Sequence, residues 1–379
     1  MPENKRFDDI RPFNAEEFYP AMEELVHCPA FPMVANFIWP GKDVEEVRKM
    51  FLSFHNVLDF QREIMASVVQ IITEKTCDGF SFSGLERLDP SKQYLYVANH
   101  RDIVLDAMLQ QFVLVRNGFD TAEITFGANL MTNKFVADAG RLNKMFKVER
   151  PGTVASARDF YEASRHLSDY IRYAIKEKKQ SVWIAQRNGR TKDGLDITDP
   201  AIIKMLLMGG PEDKIDSISE LSIVPMSVSY EWEPCDILKV LEMYESSRMT
   251  YIKKPGEDLN SIITGIMQQK GRVHLAFCRP LELSELESLR SLTVNQFCRE
   301  VASLIDSEIR SNYRLYPNNY IAADLRFGSR RYSSKYTAEQ KKAFQERLAK
   351  LSSYCYSENA PDLEELTDKF LALYANSTL

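Results

Sequence analysis

The residues best suited to chemistry stand in one stretch, Tyr94 to Gln110, "YLYVANHRDIVLDAMLQ". A strand-like apolar run ends on Asn99-His100, and the apolar segment after it carries Asp102 and Asp106. A neutral imidazole takes a proton from an alcohol near neutral pH, and a carboxylate on its other nitrogen fixes the tautomer and stabilises the imidazolium. Asp106 returns beneath the ring if the corner between strand and helix is tight. Asp102 is placed to cap that helix. A purely structural, capped helix start has the same residue types, so the stretch alone leaves both readings open.

Cations gather at two other places. Lys134, Arg141, Lys144, Lys147 and Arg150 put five positive charges into seventeen residues. The planar fork of Arg150, after the alternating "FKVER", suits bidentate binding of a phosphate. A solvated charge face is the plainer explanation of the run. Further on, "AQRNGRTKDG" follows the strand-like "SVWIA". A glycine there lets backbone amides approach an anion, and Arg187, Arg190 and Lys192 supply charge. An ordinary Asn188-Gly189 turn reads equally well.

Elements that could position these groups are visible in the apolar pattern. Residues 94–99, 123–129, 181–186, 222–232 and 272–281 read as strands, and the segments "LDAMLQQFVLVRNG" and "SARDFYEASRHLSDYIRYAIKEKK" between them as helices. This alternation predicts an α/β fold: a mixed, mostly buried β-sheet flanked by helices. Pro225 inside its strand points to a strand start or an edge position. From Asp43 to about Thr73, apolar residues recur every three to four positions with one seven-residue gap, which predicts one amphipathic helix, with Asp43 and Glu46 in a capping-box arrangement. The last third is helical, interrupted by the basic, aromatic loop "RFGSRRYSSKY" at 326–336. The expected division is a helical region over 1–78, an α/β domain over 79–285 and a helical region over 286–379 packed on it.

Composition removes several classes of function. The 379 residues carry 54 acidic against 48 basic side chains, a net charge of -6, which argues against a general nucleic-acid binder. The six cysteines form no CxxC pair, and the five histidines show no ligand spacing, so no metal is expected. The amino-terminal residues lack an apolar signal segment, and no run approaches the ~20 apolar residues of a spanning helix. The expectation is a cytoplasmic protein, either free or peripheral on the inner membrane face.

Four blocks in order carry a resemblance: "NHRDIVLD" (99–106), "GRLNKMFKVER" (140–150), "AQRNGRTKDG" (185–194) and "IVPMSVSYE" (223–231). Together they resemble the glycerol-3-phosphate and 1-acylglycerol-3-phosphate acyltransferase superfamily over roughly two-fifths of the chain. The family pattern is N-H-x-x-x-x-D, a glycine-containing block ending in arginine, an E-G-x-R-S type block, and a V-P strand. Three departures are plain. Leu105 occupies the position of the family aspartate, with Asp106 one further on; Asn188 stands where glutamate is expected; and Arg190 aligns only with a one-residue gap.

The resemblance implies acyl transfer from acyl-CoA or acyl-carrier protein to a glycerol-phosphate or lysophospholipid acceptor. His100 would be the base and Asp106 its orienting partner. Backbone amides near Gly189 would face the oxyanion, and Asn188 would occupy the glutamate's place beside them. Arg150 and Arg190 would clamp the acceptor phosphate, with Arg101 and Lys192 as weaker contributors. No cofactor is implied. The 43–73 helix and the 326–336 loop would bring the enzyme to a bilayer or to an acidic carrier protein. The alternatives are another lyso-lipid acceptor, such as a lyso-aminolipid, and a lipid-binding relative that lost catalysis with the change to Asn188.

Overall fold

The computed structural model describes residues 5–150, 153–254, 256–355 and 361–379. Seven strands form one mixed sheet: β1 (Cys77–Ser83), β2 (Leu95–Ala98), β3 (Glu123–Gly127), β4 (Met145–Val148), β5 (Val182–Ala185), β6 (Ile223–Tyr230) and β7 (Gly271–Phe277). Their spatial order is β1-β7-β6-β2-β5-β3-β4. Every neighbouring pair is parallel except β6 and β7. This is the mixed α/β architecture expected from the alternation of elements.

The centre of the sheet is buried on both faces, as parallel strands between helices must be. Leu95 and Val97 of β2 pack with Val182, Ile184 and Ile223 beneath the helices Ala157–Lys176, Pro200–Leu207 and Val294–Asn312. On the opposite face Tyr96 and Ala98 pack with Trp183, Val224 and Met226 against the helices Ala66–Thr76 and Leu105–Arg116. Each such fully buried aliphatic side chain contributes about 1.5–3 kcal/mol. β2, which leads into His100, is therefore among the most firmly held segments.

Pro225 is the third residue of β6, an interior strand rather than an edge. The antiparallel ladder to β7 registers only from Met226 and Phe277 onward. The Pro225 carbonyl accepts from the Cys278 amide at 2.9 Å, beyond the end of β7. The missing N–H thus falls where the ladder has already stopped.

The apolar stripe expected as one helix over 43–73 is broken into pieces. Val44–Leu52 ends before Ser53, and the chain restarts at Val57 through a cap in which Asn56 Oδ1 accepts from the Asp59 amide. A π-helical turn over Gln61–Met65 then feeds the Ala66–Thr76 helix. Buried Gln61 accepts a hydrogen bond from Thr121 at 2.7 Å. Asp43 caps the first piece by accepting from the Glu45 and Glu46 amides.

Two helical layers enclose the sheet's ends. Phe18, Met22, Phe31, Val47, Phe51 and Phe60 form a core with Leu105 and Leu142, which seats the amino-terminal helices against the start of the Leu105–Arg116 helix. Helices Pro317–Arg326, Ala338–Ala349 and Leu363–Ala375 pack with Asp236–Ser246 through Ile321, Phe344, Phe370, Tyr374 and Val240. No helix among the described residues is long and apolar enough to cross a membrane.

Candidate active site

β2 ends at Ala98, and Asn99 fixes the direction in which the chain leaves it. The Asn99 amide nitrogen donates to the Val228 carbonyl and to Asp196, and its oxygen accepts from the Val228 amide at 2.7 Å. His100 follows, with its side chain nearly buried, and its ring meets Trp183 edge to face at 5.8 Å.

Nδ1 of His100 lies 3.0 Å from Oδ2 of Asp106. The same oxygen accepts the backbone amides of Arg101 (2.7 Å) and Asp102 (2.9 Å), and Oδ1 accepts the Tyr230 hydroxyl at 2.9 Å. Four donors therefore converge on a carboxylate that is 2% exposed. These contacts fix the carboxylate in place and leave Nε2 of the imidazole turned away from it. The Tyr230 hydroxyl, buried and beside Asp106, is held well above the usual phenol range.

Asp102 caps the helix, its Oδ1 accepting the amides of Val104 and Leu105 at 2.9 Å each. That cap turns the chain through 101–104 before the helix starts, and the turn brings Asp106 under the ring despite the extra residue. Burial and neighbouring Asp106 push the Asp102 carboxyl up, while Arg190 pulls against them. A Cβ on Gly265 would stand 2.1 Å from Asp102 Oδ2, so the Glu257–Met267 helix crosses the site where only glycine fits.

The loop after β5 runs beside this corner. The Thr191 amide donates to the His100 carbonyl at 2.8 Å. Asn188 is exposed, and Gly189 adopts φ +75° with open space around it, so the Asn-Gly pair makes the expected turn. Arg190 acts electrostatically on Asp102 and Cys235, and its buried Nη1 has no hydrogen-bond partner among the described residues.

Arg150 lies at the end of β3. A Cβ on Gly127 would come within 2.8 Å of its Nε and Nη2 atoms, so the guanidinium covers that strand end. Burial lowers its pKa and Asp258 opposes the change. Asp258 and Gly265 belong to one helix, which links the Arg150 end of the site to the Asp102 end.

Two predicted cations are placed differently. Arg101 is 1% exposed, with its guanidinium donating to Glu233 (3.1 Å), Asp196 (2.5 Å) and Ser377 (3.2 Å) and stacked on Tyr313. Buried Lys239 completes this network by donating to Glu233 and to the Arg101 carbonyl. Lys192 is paired with Glu242. Both charges are neutralised by carboxylates distant in sequence, which a local motif does not reveal. Of the remaining residues singled out in the sequence, His100 and Asp106 meet at one corner, Arg190 acts on it through Asp102, Arg150 stands across the Glu257–Met267 helix, and Asn188 and Gly189 are at the outer turn. Tyr230, in the fourth block, reads from the sequence either as lining of an acyl channel or as core of a buried strand; its hydroxyl instead meets Asp106, a contact that the sequence does not reveal.

Comparison with protein families finds no matching family, and comparison with curated proteins finds no match. Among solved structures, the chain is similar to the 1-acyl-sn-glycerophosphate (LPA) acyltransferase PlsC from Thermotoga maritima, at a TM-score of 0.40 and 11% identity, covering 79% of this chain and 96% of that one. Likeness at that level leaves the functional reading to the site.

Proposed function

We propose that the protein is an O-acyltransferase that moves a fatty acyl group from acyl-CoA or acyl-carrier protein to a hydroxyl of glycerol 3-phosphate or 1-acyl-glycerol 3-phosphate. The observation that carries this reading is the His100–Asp106 contact at the carboxyl end of a parallel strand, with Asp106 held by four donors. Open α/β sheets bind ligands at that end.

His100 Nε2 accepts the acceptor hydroxyl's proton as its oxygen attacks the thioester carbonyl. Asp106 supports the imidazolium that results. Collapse of the tetrahedral intermediate breaks the C–S bond, and the imidazolium returns the proton to the leaving sulfur. The alcohol is itself the nucleophile, so no acyl-enzyme forms. Amides of the turn at Gly189 face the oxyanion, a contribution of about 3 kcal/mol in comparable sites. Arg190 and Arg150 hold the acceptor phosphate.

A phosphate-free lyso-lipid, such as a lyso-aminolipid, is the second reading. It is favoured by the commitment of Arg101 to Asp196 and Glu233 and of Lys192 to Glu242, which leaves two of four cations for a phosphate.

The test is thiol release from long-chain acyl-CoA and acyl-carrier protein with glycerol 3-phosphate, 1-acyl-glycerol 3-phosphate or a lyso-aminolipid. Release that requires one acceptor and is lost in His100→Ala supports the enzyme and names its substrate. Silence in the wild type with release in Asn188→Glu identifies a binding protein that has lost catalysis at the turn. Silence in both overturns acyl transfer.

A further inference from the structure

On the opposite face of the sheet from His100, at the β1 edge, lies a cleft of about 780 Å³. That volume falls within the ~300–1,000 Å³ of small-ligand sites. Strand alternation separates it from the candidate active site. Phe80, Val273 and Tyr230 pack into the core beneath the Leu105–Arg116 helix, although Phe80 and Val273 also border the cleft, whereas Ser81, His274 and Ser229 point the other way, where Arg314 meets Ser81 and Ser229. None of the residues assigned above to catalysis or acceptor binding lines the cleft.

Its floor is Gly79 and Ser81 of β1 with Arg272 of β7, and its walls are the segment from Arg314 to Tyr320 and the turn at Ser334–Gln340. A Cβ placed on Gly79 meets no atom within 4 Å, so the missing side chain opens the floor.

The charge around this space is unbalanced. Arg272 is neutralised by a bidentate pair with Glu231. The Arg314 guanidinium donates to the Ser81 hydroxyl at 3.3 Å and forms no ion pair among the described residues, while its backbone amide donates to Ser229 at 2.9 Å. Lys335 likewise forms no ion pair among the described residues. Asp78 is the one carboxylate in the lining among the described residues. His274, bonded to Ser81 and Ser83, adds polarity without charge, because burial and Arg314 keep its pKa near 4. The walls add the aromatic rings of Tyr316, Tyr320 and Tyr336.

Two uncompensated cations over hydroxyls, beside aromatic walls, match one ligand chemistry: an anion attached to a flat ring. We propose that this cleft is a second binding site, taking a small phosphate ester of an aromatic base or ring, with Arg314 and Lys335 on the phosphate and the tyrosines on the ring. The assignment is independent of the acyl-transfer reading.

Adenosine 5′-monophosphate is the probe, with adenosine and inorganic phosphate as its two halves, titrated by calorimetry into the full chain. Gly79→Leu fills the floor at a backbone conformation that any residue adopts, and Arg314→Gln with Lys335→Gln removes the charge at exposed positions. Expected are saturable one-to-one binding of the nucleotide and at least tenfold weaker binding in each variant, with the thermal midpoint of unfolding unchanged. Each half alone should bind at least tenfold more weakly than the whole. No saturable binding to the wild type, or binding to Gly79→Leu within twofold of it, overturns the site. Phosphate binding as tightly as the nucleotide overturns the ligand class.

Discussion

Asp106 Oδ1 accepts the Tyr230 hydroxyl at 2.9 Å while Oδ2 faces His100, so β6 fixes the carboxylate that orients an imidazole on the loop after β2. Tyr230→Phe keeps the ring and deletes one donor. We expect thiol-release kcat to fall about tenfold, with a cost of about 1–2 kcal/mol in stability. The carboxylate then keeps three of its four donors and holds the imidazole less firmly, so the loss should fall on kcat and leave KM unchanged. A normal kcat would reduce Tyr230 to packing.

His100→Ala should remove the general base and lower turnover by about 10³-fold or more, and Asp106→Asn by about 10²–10⁴-fold. Both are measured by single-turnover thiol release. Asn at 106 accepts less well from the amides of Arg101 and Asp102, so part of its loss should appear as a lower unfolding midpoint.

Arg150→Ala should raise KM for a phosphate-bearing acceptor by roughly 10- to 100-fold, the worth of a charge-assisted hydrogen bond, with kcat little changed. An unchanged KM for such an acceptor, together with activity on a phosphate-free lyso-lipid, would favour the second reading of the site.

Arg101→Met tests a structural role. It strands Asp196 and Glu233 in the interior beside Lys239, and breaking a buried ion pair from one side costs about 3–5 kcal/mol. Denaturant unfolding reads that loss. A change under 1 kcal/mol would mean that the network is not worth what its burial suggests.

His274 gives a pH signature. Burial, with Arg314 nearby, lowers its pKa from 6.5 to about 4. Between those values the unfolded chain binds a proton that the folded chain refuses. Stability therefore falls as pH drops through that window, by up to roughly 3 kcal/mol, and the dependence ends below about pH 4. His274→Gln retains bonding to Ser81 and Ser83 and should flatten the unfolding midpoint across the same window.

The sequence displays what burial makes uniform. β2 and β6 are buried along their whole length, and both are recognisable as apolar runs. The strands at the sheet's two edges, β1 and β4, escape notice because each is short or half exposed and has one partner instead of two. The helix pattern over 43–73 hides its breaks because helical pieces around one core keep a similar spacing of apolar residues. The His100–Asp106 pairing is legible because both residues sit on one local corner. The fate of Arg101 is not, since Asp196, Glu233 and Ser377 reach it only after the whole chain has wrapped around the sheet.

That last contact sets an order of events in the cell. The loop carrying His100 is anchored through Arg101 to Ser377, 276 positions later, and Tyr374 closes over Asp236 and the Glu233 amide beside it. While this protein is being synthesised, the central strands can pair early, but the loop behind the imidazole keeps an unfilled side until residue 377 has cleared the ribosome's exit tunnel. The growing chain thus carries the histidine beside Asp106 on an incompletely anchored support, which is completed only when the Leu363–Ala375 helix and Ser377 dock.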